Sequence, residues 1–327
     1  MERTKVFIVL GEHGGHGSPA NTRFFRRAVC SFLDEILQDG KKATMIYETA
    51  LYNYPFGCMP GKSLNASRIQ GYLDEAEPKK HETMAAFQAT LSSLESRANE
   101  NLNAIVGKGN PLSLFDGLGF EDMVLAMNRR NIWQVNVVID PQNVDAMYAT
   151  WALKQIEGLV STARISMARL CSSETTELIK KCLSAEAEFL VLHDRQVFSL
   201  VERLRAQNPE MPVIIVRGSA HAGISRLFDP KEYDVRIEQD GRIIPGFGPD
   251  AASKRYIGEN LTECELNGYA KLTQSFLLYL NDLSRGLRGF VKMVLVFVGA
   301  QDVLFRWAKK YAIKQNPEIA QELGLST

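Results

Sequence analysis

Apolar residues along this chain follow two spacings. The first is the short continuous run: Val6-Phe7-Ile8-Val9-Leu10, then residues 43–49, 132–139, 212–217 and 233–238. These runs are rich in β-branched residues and bounded by glycine, proline or aspartate, so they read as buried strands. The second spacing is helical. Phe24, Phe25, Ala28, Val29, Phe32, Leu33, Ile36 and Leu37 recur at i, i+3, i+4 and i+7 with charges between them, which predicts an amphipathic helix closed by Asp39-Gly40. Residues 62–104 are polar and helical in pattern, and 120–130 form a further helix. The pattern also predicts helices over 143–184, with a weak break at Gly158, over 186–208, over 222–228, and from about 262 onward. Residues 107–119 and 246–258 read as loops, the latter because of Pro245, Pro249 and its glycines. Asp240-Gly241 is a hairpin signal between 233–238 and 242–244.

Strand, helix and strand joined by short connections imply a βαβ unit. The expected fold is therefore α/β, with a mainly parallel central sheet flanked by helices. A helical insertion is expected at about 62–130 within a core spanning 1–245. Residues 246–327 are expected to form a loop and a helical C-terminal extension packed on that core.

Composition narrows the partners. The chain has 327 residues, 45% of them apolar and 23% charged, as in an ordinary globular protein with a sizeable core. Lys+Arg and Asp+Glu are both 38, so bulk positive charge draws no nucleic acid to this chain. The five cysteines are scattered, with no Cys-x-x-Cys, which fits a reducing compartment rather than a disulfide framework. Met1-Glu2-Arg3-Thr4-Lys5 leads into a run too short for a secretory signal. A cytoplasmic location is expected, with signal-independent secretion left open. The most apolar late stretch, 290–297, is interrupted by Lys292 and too short to span a bilayer. With Trp307 it is expected to pack as a helix or to join copies of the chain.

Chemistry-bearing residues gather where strands end. Residues 6–10 run into Gly11-Glu12-His13-Gly14-Gly15-His16-Gly17. The second run ends at Ile46-Tyr47-Glu48, and Val216-Arg217 leads into Gly218-Ser219-Ala220-His221. A helix carries His193-Asp194-Arg195, expected near its start. Open α/β sheets place their chemistry at the C-terminal ends of their strands. A neutral imidazole there can bind a metal or accept a proton, and a carboxylate beside it can orient the ring or act as base. Each residue also has a plainer account. Glu12 could cap the following helix, Glu48 could form an ion pair with Arg217, Asp194 and Arg195 could be a solvated pair, and the histidines could lie in solvent or a first helical turn.

In order and placement these motifs resemble the superfamily that unites the TraB/Tiki proteins, the ChaN-like haem-binding proteins and the erythromycin esterases. The resemblance rests on Gly11-Glu12-His13 with His16, Ile46-Tyr47-Glu48, His193-Asp194-Arg195 with Val197 and Val201, and Gly218-Ser219-Ala220-His221, over roughly residues 5–240. Gly14 holds the place usual for the family's histidine, and His13 and His16 flank it; His16 is the preferred one. The order Asp194-Arg195 inverts the family's Arg-Asp. The resemblance implies an EreA/ChaN-like fold and a hydrolase. Glu12, His16, Glu48 and His221 would activate water for ester, lactone or peptide hydrolysis of a small-molecule or peptide substrate. Glu12, His16 and His221 would be the ligands of any divalent metal. Arg195 or Arg217 would neutralise charge on the substrate or intermediate, and His13 and Asp194 would bind or orient. The alternative it implies is a haem-binding protein, with Tyr52 and Tyr54 of the aromatic stretch 50–61 covering or ligating the haem. A catalytically degenerate interaction protein or effector is a third reading.

Overall fold

A computed structural model of the chain describes residues 3–11, 19–37, 42–47, 135–139, 171–241, 246–282 and 301–325. Strand β1 (Thr4–Gly11) is buried along nearly its whole length. So is β4 (Val213–Gly218), which lies beside it. Their unbroken apolar runs are what interior strands of a parallel sheet require, since both faces must be covered. With β2 (Ala43–Tyr47), β3 (Val135–Ile139) and β5 (Tyr233–Gln239) they form one five-stranded sheet in the order β3-β2-β4-β1-β5. All four strand pairings are parallel. The hairpin expected at Asp240-Gly241 cannot be followed, because 242–245 lie outside the described residues. Strand β5 pairs in parallel with β1.

Alternation along β1 divides the apolar residues between two layers. Phe7 and Val9 face helix α1 (Pro19–Leu37), where Phe24, Phe25, Ala28, Val29, Phe32, Leu33 and Ile36 pack against them with Met45, Ile214 and Val216. Val6, Ile8 and Leu10 face the other way, onto Val197 and Val201 of helix α2 (Ser173–Gln207) and Ile224. The result is a helix–sheet–helix sandwich.

Helix α2 departs from expectation. The pattern predicted two helices meeting near 184–186, but α2 runs unbroken for 35 residues, starting at a Ser172 cap. Ser184 and its neighbours include neither glycine nor proline, so nothing there stops a helix. His193-Asp194-Arg195 consequently sits in the middle of a helix about 50 Å long, rather than near its start. Beyond β4, the short helix expected at 222–228 is a 3₁₀ helix that begins earlier (Ser219–Leu227).

The expected loop at 246–258 is also corrected. Gly248–Tyr256 is a helix, α3, with proline in its first turn, where its missing N–H costs nothing. The helices α4 (Glu263–Asp282), α5 (Gln301–Gln315) and α6 (Pro317–Glu322) follow, in line with the helical tail expected. They pack with Phe247 and Ala251 against Ile179 and Leu183 of α2. No helix among the described residues is long and apolar enough to cross a membrane. The insertion at 62–130 lies outside the described residues.

Candidate functional site

At the C-terminal ends of the central strands, Gly11 of β1 is paired with Gly218 of β4. From Gly218 the chain enters the 3₁₀ helix, and His221 lies there with φ −90 and ψ 20. That bridge conformation is one often found at functional positions. The His221 ring points into the protein and is 2% exposed.

Helix α2 supplies the groups that meet it. Asp194 follows Ala187 and Leu190 at helical spacing, on the buried stripe that packs against α3. His193 precedes Val197 and Val201 at steps of four, on the stripe that faces the sheet. The two side chains thus reach inward at the seam between two packed layers. Both are buried, as is Arg217 on β4.

Their contacts form one network. His221 Nδ1 lies 2.8 Å from Asp194 Oδ1. Arg217 Nη1 forms an ion pair with the same oxygen at 3.3 Å, and Arg217 Nη2 lies 2.9 Å from His193 Nδ1. Tyr256, the last residue of α3, donates its phenol hydrogen to Asp194 Oδ2 at 2.5 Å. A carboxylate only accepts and a guanidinium only donates. The proton between His221 and Asp194 is therefore on His221 Nδ1, and His193 accepts from Arg217 through its own Nδ1. When the His221 ring is neutral, its lone pair then lies on Nε2. Phe189 closes the apolar side, with ring centroids 5.4 Å from His193 and 6.3 Å from His221. Burial pushes the Tyr256 phenol well above its usual range, and the Asp194 carboxylate adds to the rise. The phenol accordingly stays protonated and keeps donating.

The sequence-predicted residues divide three ways. His221, Asp194 and Arg217 come together. Arg195 does not join them: its side chain is exposed and reaches the Arg255 backbone carbonyl at 3.3 Å. Successive helical residues point about 100° apart, so a face that buries both His193 and Asp194 turns Arg195 outward. Glu12, His13, His16, Glu48, Tyr52 and Tyr54 lie outside the described residues. The sequence reading missed Tyr256, on the helix mistaken for a loop. It also gave His193 no role, although its spacing to Val197 and Val201 marks it as sheet-facing.

Among the described residues, no group of three or more His, Cys, Asp or Glu side chains is placed to hold a metal ion. The partners expected to join His221 in such a set, Glu12 and His16, are not among them. In comparisons with known proteins, the chain matches no family model, no curated protein and no solved structure.

Proposed function

We propose that the chain is a hydrolase in which His221, oriented by Asp194, takes a proton from water at the C-terminal edge of the sheet. The observation that carries this reading is the buried 2.8 Å contact between His221 Nδ1 and Asp194 Oδ1. Holding the proton on Nδ1 leaves Nε2 as the base. Water gives that nitrogen a proton, and its oxygen adds to the carbonyl carbon of an ester, lactone or peptide. The proton then passes to the departing oxygen or nitrogen. Asp194 and Arg217 carry opposite charges, so the proton taken up by His221 brings one positive charge opposite the forming oxyanion. In a site screened from water that attraction is large.

The test is turnover of an ester, lactone and peptide panel by the wild-type chain and by H221A, D194N and E12Q. At least one substrate is expected to turn over, and H221A should slow it by about 100-fold or more, the scale of losing a general base. No turnover by the wild-type chain, or equal rates in wild type, H221A and D194N, would overturn the reading.

A further inference from the structure

On the hydrolase reading of His221, we propose that Tyr256 is the site's positioning residue. Its phenol holds the second oxygen of Asp194 and, through Asp194, fixes the ring of His221. The base would then depend on the C-terminal helices, which lie outside the stretch that carries the sequence motifs.

The geometry separates the two carboxylate oxygens. Oδ1 takes His221 Nδ1 at 2.8 Å and the Arg217 ion pair at 3.3 Å. Oδ2 takes the Tyr256 phenol at 2.5 Å. A carboxylate held by one oxygen still swings about its terminal bond, whose torsional wells are broad. A donor on the other oxygen removes that freedom. Among the described residues, the groups that face His221 and Asp194 include His193 from α2, Arg217 from β4 and Tyr256 from α3, with Phe189 as the apolar wall. Among these, Tyr256 is the one that holds Oδ2.

The ring is itself held in place. A Cβ at Gly223 would lie 2.2 Å from Tyr256 Cε2, so the bare glycine backbone is what admits the ring. Ala187, Leu190 and Ala252 pack around it. Helix α3 is tied to the helices that follow: Tyr269 donates to the Asp250 carbonyl at 3.3 Å, and Lys309 donates to the Asp250 carboxylate at 2.6 Å. A role in packing alone would be met by phenylalanine. The proposal concerns the hydroxyl.

The experiment compares the full-length chain with Y256F, both with 15N-labelled histidine, using H221N to assign the His221 signals. In the wild-type chain, neutral His221 is expected to carry its proton on Nδ1. Y256F is expected to melt cooperatively near the wild-type temperature but to show His221 as a mixture of both neutral tautomers. On any substrate the wild type turns over, kcat should fall about 10-fold or more, as on losing an orienting partner, with KM little changed. A native melt with unchanged His221 signals would overturn the proposal. If Y256F does not fold, the wild-type chain carries the test. The Tyr256 hydroxyl proton, shielded from water and bonded to a carboxylate, must appear as a downfield resonance that is lost in D194N; its absence overturns the proposal. A wild-type chain with no turnover sinks the hydrolase reading alone, because the tautomer measurement needs no substrate.

Discussion

Helix α2 carries two charged clusters that reach toward the C-terminal helices, and they differ in what surrounds them. Near its start, Lys180 pairs with Glu177 and with Glu263 in the first turn of α4. Both carboxylates face solvent, with side chains 60% and 69% exposed, although the Lys180 side chain between them is only 10% exposed. Farther along, Asp194 pairs with Arg217, His221 and Tyr256, and its side chain is 0% exposed. A charge that keeps its water gains little from a partner, because the pair exchanges one solvation for another. A charge stripped of water depends on every partner it has. When the first cluster opens, both of its carboxylates are already in water. The second is retained only where its full set of contacts is present, as the proposed orienting of His221 requires.

The largest expected effect is therefore at Asp194. D194A removes the buried carboxylate that Arg217, His221 and Tyr256 share. Breaking a buried pair on one side costs about 3–5 kcal/mol, a large fraction of the stability of an ordinary domain. Chemical denaturation of the full chain should show the midpoint falling accordingly. A loss no greater than that of a surface substitution would mean that burial does not separate the two clusters.

Next comes G223A. The added methyl would overlap the Tyr256 ring, whose nearest atom is 2.2 Å from the Cβ position. Overpacking of this kind costs about 1–3 kcal/mol. The displaced ring should also release Asp194 Oδ2, so the His221 tautomer mixture expected for Y256F should appear here as well. A stable G223A chain with wild-type His221 signals would show that the ring can move without disturbing the cluster.

The difference between the clusters also marks how far the sequence could be read. The strands β1, β2, β4 and β5 and helix α1 were legible because each carries an uninterrupted local pattern, a run or a 3.6-residue stripe. Asp194, Arg217 and His221 were singled out by motif order, and the structure brings them into contact. Tyr256 was not. Pro245, Pro249 and nearby glycines read as loop, although proline in a first turn is compatible with a helix. Once α3 was taken for a loop, its last residue had no face to present. The break expected at 184–186 has a related origin: two buried stripes on one helix, one for the C-terminal helices and one for the sheet, look like two helices in sequence. Pairings such as Asp194 with Tyr256, 62 residues apart, follow from how those stripes dock.

A smaller effect is expected at the exposed end, where α4 begins. The Thr262 N–H donates to Glu265 Oε2 at 2.9 Å, and the Glu265 N–H donates back to Thr262 Oγ1 at 3.2 Å. This is a reciprocal cap that satisfies two N–H groups at the helix start. T262A should cost about 1 kcal/mol, the usual worth of such a cap. Lys254 first, and then Thr262, hold the Glu265 carboxyl down to about 2. A carboxyl lowered by folding stabilises the fold above its unfolded value, near 4.3, and that contribution is lost as pH falls toward about 2. The gap between wild type and E265Q in thermal melts should thus be present at neutral pH and close in strong acid. A gap that stays constant through that window would show that the carboxylate does not act through its charge.

The smallest effect is expected at Lys180, and it is the sharpest check on the comparison. The hydrogen bonds to Glu177 first and to Glu263 second hold its ammonium above the usual range. Contact alone, however, is what this cluster shares with the one around Asp194. Methionine preserves the apolar stem that Lys180 lays along the helix and removes only the charge. Because both partner carboxylates remain in water, neither is stranded when the ammonium goes. K180M should denature at the wild-type midpoint, and added salt, which screens exposed charges over a Debye length of about 10 Å at 0.1 M, should change both chains alike. A drop in K180M approaching that of D194A would mean that pairing, rather than loss of water, governs both clusters, and the special standing of Asp194 would go with it.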